Sequence, residues 1–321
     1  MPRLFTSLCL FAVLLASCST PASPSPTTKP QPTVIPSPTA PPFIILAYAT
    51  DAIIADIIPY DKLTHINYSF LTPKSDGTFN PLNNSWKLKQ IVATAHQRAV
   101  KVSISVGGWG WDAQFEELAA SPQTRSAFVQ NLKALVDEFQ LDGVDVDWEY
   151  PDPGQSSQNF LALIKELRAA MPDKLLTTAV VSYGDEHGLG VSNESFELFD
   201  FVNIMTYDGP DHGTMEQFEK GLSYWSERGL PREKLVMGAP FYGDPDMPYF
   251  KIVQADPGAA QTDTFDYYGT TYHYNGIPTL QTKTRIAMDK AGGIMFWALD
   301  HDAQGELSLV NAIYDAAHSK P

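Results

Sequence analysis

Cysteine is nearly absent from this chain: 321 residues carry only Cys9 and Cys18. Cys9 lies in a leader expected to be removed, so no disulfide framework can staple the mature protein. Basic residues are also few, 22 Lys and Arg against 37 Asp and Glu, for a net charge of −15. That balance argues against nucleic acid and against an anionic membrane surface as partners. The seven histidines show no metal-ligand spacing such as His-x-x-x-His, and no metal or other cofactor is called for. A Gly-x-Ser-x-Gly elbow is missing, which leaves serine-hydrolase chemistry without support. No repeat of fixed period runs through the chain.

What is present begins with an export signal. Arg3 supplies a positive start, and residues 4–15 are apolar except for Thr6 and Ser7. That run is too short to span a bilayer but suits a signal-peptide core. Leu15-Ala16-Ser17-Cys18 looks like a bacterial lipobox, so residues 1–17 are expected to be cleaved and Cys18 lipidated. Residues 19–42 hold nine prolines among serines and threonines and read as a linker, of about 70 Å if largely polyproline II at ~3.1 Å per residue. The expectation is an exported lipoprotein, anchored to a membrane through Cys18, whose folded domain occupies residues 43–321. Nothing in the sequence speaks to oligomeric state.

From residue 43, with 44 % of the chain hydrophobic and 12 % aromatic, short apolar runs alternate with helical patterns. Strands are predicted at 43–50, 65–71, 101–106, 143–150, 175–181, 201–207, 235–241 and 293–299. Helices are predicted at 86–99, from Ser121-Pro122 onward, and at 160–171, 215–227, 282–290 and 307–317, with a short helical turn at 195–199. Eight strands separated by helices over ~275 residues match the count and size of a (β/α)8 TIM barrel. A doubly wound open sheet is disfavoured, because no Gly-rich phosphate turn follows the first strand. Residues 244–278 are irregular and rich in aromatics, and are expected to form a short hairpin over the barrel mouth.

The chemistry concentrates in Asp142-Gly143-Val144-Asp145-Val146-Asp147-Trp148-Glu149-Tyr150-Pro151. Alternate residues of a strand share a face, about 6.7 Å apart. Asp145, Asp147 and Glu149 therefore line one side, and Val144, Val146 and Trp148 the other. Like charges stacked in an interior are costly and raise one another's pKa, so a merely structural strand would not carry them. A calcium loop is excluded, since an EF-hand counted from Asp145 would put Tyr150 at the required Gly and Ser156 at the required Glu. In barrels of this type the active site forms at the carboxyl ends of the strands.

With Ser105-x-Gly107-Gly108, Met205-x-Tyr207-Asp208 and Trp297 in the same order, this stretch resembles the chitinases of glycoside hydrolase family 18 over about residues 43–317. The resemblance implies retaining hydrolysis of β-1,4-linked N-acetylglucosamine in chitin or its oligosaccharides, with the substrate's own acetamido oxygen as nucleophile. It implies Glu149 as the proton donor and later base, and Asp147 as the residue that orients the acetamido group and steadies the oxazolinium ion. Asp145 would share a proton with Asp147, and Tyr207 would hydrogen-bond the acetamido carbonyl. Asp208 and Met205 would contact the sugar, and Trp297 would form its floor. Tyr48, Phe70 and Tyr242, at strand ends, are candidate pocket walls, and Trp109 and Trp111 are loop aromatics placed to stack on sugars. The two glycines after Ser105 are read as architectural, allowing close approach to the carboxylates.

Cis peptides at Trp297-Ala298 and Ser69-Phe70 are further implied. Two departures stand out. The interval between strands seven and eight is too short for the α+β insertion many members carry, which favours a shallow cleft and endo-type cleavage. Asp244 replaces an Arg that often follows Tyr-Gly. Two rival readings remain at this point: an endo-β-N-acetylglucosaminidase acting on N-glycans, and a non-catalytic chitooligosaccharide-binding protein.

Overall fold

A computed structural model describes residues 42–319. The expected leader, Cys18 and the linker up to residue 41 lie outside the described residues. Eight parallel strands close into a barrel: Ile44–Thr50, His65–Leu71, Lys101–Gly107, Gly143–Asp147, Leu175–Val181, Phe201–Met205, Leu235–Pro240 and Gly293–Trp297. Each pairs with its neighbours in sequence, and the eighth pairs with the first through Ile44 opposite Gly293. The predicted (β/α)8 barrel is the fold.

Alternation along the strands divides the apolar residues into two sets. Val144, Val146 and Trp148 join the large cluster between sheet and helices. Leu46, Tyr48, Ala179, Met205, Tyr207, Val236 and Met295 form a smaller cluster inside the barrel. Beside the second cluster, also inside the barrel, lies a polar layer set by the register Ser105–Asp145–Thr177 across strands three to five.

Several boundaries differ from the sequence reading. Strand four ends at Asp147, so Glu149 stands on the turn beyond it. A helix not predicted, Asp112–Ala120, follows strand three and buries Phe115, Leu118 and Ala119 at helical spacing. The next helix, Pro122–Phe139, opens at Pro122 as expected. The helix expected from residue 282 begins at Ile277. Pro278 does not stop it, because a first-turn residue has no intrahelical N–H bond to lose. The aromatic-rich interval does contain a hairpin, Thr264–Tyr267 with Thr270–His273. None of its residues lines the central cleft, and His273 pairs with Asp244.

Trp148 ties the carboxylate-bearing turn to the helical ring. Its ring stacks on Phe115 at 5.1 Å and 11°, meets Phe160 edge-on at 5.9 Å, and its Nε1–H donates to Asp112 at 2.8 Å. Trp148→Ala is expected to cost about 3–5 kcal/mol of stability, read as a lower urea midpoint. An unchanged midpoint would show that the turn is held elsewhere.

Candidate active site

At the carboxyl ends of the strands a cleft is lined by Tyr48, Phe70, Trp109, Asp147, Glu149, Met205, Tyr207, Asp208 and Trp297. Nine residues proposed from sequence thus meet in one place. Phe70 stacks on Trp297 at 5.3 Å and 19°, and Tyr48 packs against the same ring at 5.9 Å. Trp109 is 78 % exposed and free to meet a ligand, whereas Trp111 packs against the core and precedes the helix Asp112–Ala120. The Ser69–Phe70 and Trp297–Ala298 peptides are cis, as is Glu149–Tyr150.

Asp145 is fully buried beneath this cleft, with both oxygens saturated. Tyr48 and Ser105 donate their hydroxyls to Oδ2 at 2.9 and 2.8 Å, and Thr177 and Asn203 donate to Oδ1 at 2.6 and 3.1 Å. Burial pushes its pKa up and these four bonds oppose the rise. Neutral donors thus occupy both oxygens of Asp145, which also raises the pKa of its neighbour Asp147. Ser105 is therefore more than a small residue at a close approach. The glycines after it are architectural as read: Gly107 has φ +113, and a Cβ there would meet the Asp147 carbonyl at 2.2 Å. Gly108 N–H donates to that carbonyl at 2.9 Å.

Asp147 sits at the cleft floor with Oδ1 buried and without a partner. Burial, then the nearby Glu149 and Asp145, push its carboxyl well above the usual range. Glu149 is raised to about 7, chiefly by burial, with the Asp208 charge adding to the rise. Glu149 is therefore poised to hold and release a proton near neutral pH, as general acid chemistry requires. Burial pushes Asp208 up as well, but the neighbouring His212 and the hydroxyl that Tyr242 donates outweigh it and hold this carboxyl low. Among the described residues the Tyr207 hydroxyl donates only to the Met295 sulfur at 3.8 Å, a weak acceptor that a ligand oxygen would replace. Tyr242 does not line the cleft. It donates to Asp208 Oδ1 and meets Tyr207 edge-on at 6.3 Å.

Thr177 and Asn203 were not singled out from sequence, although a signal existed. Thr177, with Thr178, interrupts the apolar run of Leu-Leu-Thr-Thr-Ala-Val-Val, and Asn203 is the one polar residue of Phe-Val-Asn-Ile-Met. Such a residue needs a buried partner. His212 and Gln217, which hold the backbone of Asp208, carried no comparable signal. Among the described residues no group of His, Cys, Asp and Glu is arranged to hold a metal ion.

Glu149 also makes stability depend on pH. Its carboxyl rises from 4.5 to about 7 on folding. The folded chain thus keeps a proton that the unfolded chain releases, and stability falls as pH climbs through that interval. Glu149→Gln should be the more stable protein above pH 7 by about 1–3 kcal/mol, after allowance for solvent screening, with the gap closing toward pH 4.5. Parallel thermal melts across this range check it; a gap independent of pH would contradict it.

Residues 44–302 match the sequence profile of glycosyl hydrolases family 18. A probable endochitinase of Caenorhabditis elegans is 31 % identical over 224 residues, which cover 56 % of this chain but only 36 % of that protein. Chitinase 1 of Aphanocladium album is 26 % identical over 343 residues, covering 82 % of this chain and 81 % of its own. The crystal structure of a chitinase from Bacteroides thetaiotaomicron superposes with a TM-score of 0.78 at 28 % identity, covering 87 % of this chain and 97 % of that one. With a carboxyl poised near neutrality over an aromatic floor, and a profile match across nearly the whole barrel, the chain belongs to glycosyl hydrolases family 18.

Proposed function

We propose that the protein is a chitinase that hydrolyses β-1,4-linked N-acetylglucosamine with retention, the substrate's acetamido oxygen serving as nucleophile. The observation that carries this reading is the pairing of Glu149, protonated near neutrality, with Asp147, whose Oδ1 lacks a partner. Trp297, stacked on Phe70, supplies a flat apolar surface for the sugar ring.

In the first step Glu149 gives its proton to the departing glycosidic oxygen while the acetamido oxygen closes on the anomeric carbon. Asp147 accepts from the acetamido N–H and stabilises the cyclic cation, and the Tyr207 O–H donates to the acetamido oxygen. In the second step the Glu149 carboxylate takes a proton from water, which attacks the anomeric carbon and reopens the ring. Asp145 keeps its four bonds throughout and anchors the polar layer beneath Asp147. The short interval between strands seven and eight, whose hairpin stays outside the cleft, supports endo-type cleavage. The charge of −15 is no obstacle to a neutral polymer. The amino terminus completes the proposal: residues 1–17 direct export and Cys18 carries lipid.

Glu149→Gln should lower turnover of chitooligosaccharides by roughly 10²–10⁴-fold while leaving binding largely intact. Full activity in that variant would sink the mechanism. Proton NMR of the parent reaction should show the β-anomer first, and activity should decline as pH rises through about 7, where Glu149 loses its proton. Initial α-product would refute retention. A hexasaccharide should be cut at internal bonds; release of end units alone would refute endo action. Cys18→Ala should move the protein from the membrane fraction to the soluble one, and an unmoved variant would remove the anchor from the proposal.

A further inference from the structure

The helix Ile277–Lys290 buries Leu280, Lys283, Thr284 and Ala287 on one face. Three of these suit a core stripe, but Lys283 is a fully buried amine in that stripe. Burying such a group is costly unless its hydrogens are bonded. Lys283 Nζ donates to the Gly213 carbonyl at 2.6 Å and to Asn275 Oδ1 at 2.8 Å, and lies 5.3 Å from the Phe218 ring centroid. Burial pushes it down to about 7, against the nearby Asp263. That carboxylate is itself engaged by Gly276 N–H and the Thr279 hydroxyl. An amine keeps two hydrogens for its two acceptors in either protonation state, so the arrangement works as a fastening at any working pH.

What it fastens is the loop after strand six. The Gly213 carbonyl also receives Asn275 Nδ2 at 2.8 Å, and Gly213 N–H donates to Gln217 Oε1 at 2.9 Å. Gln217 Nε2 then donates to the carbonyls of Asp208 and Tyr207 at 2.8 and 3.2 Å. From the other side His212 Nδ1 accepts Asp208 N–H at 3.0 Å, and its Nε2 lies 3.3 Å from the Tyr242 carbonyl. Asp208 needs this grip, since its φ of +62 is a left-handed conformation that non-glycine residues rarely hold.

We propose that Lys283 is a positioning residue for catalysis: with Asn275 it pins Gly213, and through Gln217 it sets Asp208 and Tyr207 against Glu149. The inference rests on the proposed hydrolase reading of the cleft. It assigns the segment after strand seven, which stays outside the cleft, the task of holding the strand-six loop in register.

Lys283→Met keeps the volume and removes both donors. It should lower kcat on chitooligosaccharides by about 10–100-fold, the scale of a displaced catalytic group. It should also move the alkaline limb of kcat to lower pH, because Glu149 no longer faces the Asp208 charge. Asp208→Asn should give the same shift, and the double variant no more than either single. Gln217→Met breaks the same chain at another link and should copy the shift, so the proposal is testable even if Lys283→Met folds poorly. A limb that moves in Asp208→Asn but stays put in both other variants overturns the inference while sparing the site. A limb that Asp208→Asn leaves unmoved removes the link from Asp208 to Glu149 and overturns the inference, whereas full activity in Glu149→Gln overturns the hydrolase reading beneath it.

Discussion

Asp145 sits fully buried inside the barrel with no cation beside it among the described residues, and it is tolerated because four neutral donors from strands one, three, five and six close on it. Removing a charge from water costs several kcal/mol unless hydrogen bonds replace the hydration. Here they do so from four directions, which makes the layer a constraint on barrel register. Shifting strand one, three or six by one residue would turn its donor to the outer face and put an apolar side chain against the carboxylate. The aromatic cleft above and the packing of Val144 and Val146 outside both depend on that register.

The same layer separates the roles of three adjacent carboxyl groups. Asp145 has all its partners from the protein, so its occupancy is set before any ligand arrives. Asp147, two residues on, has an oxygen with none. Glu149 lies past the end of the strand, where burial is incomplete and its pKa settles near 7. A gradient from saturated to open thus runs along five residues. It arises from depth in the barrel, since each step toward the carboxyl end leaves fewer neighbouring strands to supply donors.

A second polar network answers the first from outside the barrel. Lys283, Asn275 and Gln217 are buried polar side chains that meet on backbone carbonyls of the loop carrying Tyr207 and Asp208. Fully satisfied networks of this kind rigidify what they touch, because losing one member strands the others without water. The two sides of the cleft are therefore held by different means: one by a carboxylate that gathers hydroxyls and an amide, the other by an amine and amides that gather carbonyls.

The period-two pattern of Asp145, Asp147 and Glu149 against Val144, Val146 and Trp148 determined from sequence alone which side chains face inward, because alternation is a local property of extended backbone. The spacing of apolar runs likewise determined the eight-stranded barrel, and with it that Tyr48, Phe70, Met205, Tyr207 and Trp297 would meet at one end. Local pattern was silent where sequence-distant atoms decide. Thr177 and Asn203 find Asp145 only once the barrel closes, and Lys283 finds Gly213 seventy residues away. The end of strand four at Asp147, the helix that begins before Pro278, and the hairpin's pairing with Asp244 were settled by tertiary contacts. So was the difference between the three carboxyl groups. Which residues would be ionisable is written in the chain, but how much of each charge the protein accepts depends on partners that only folding brings within 3 Å.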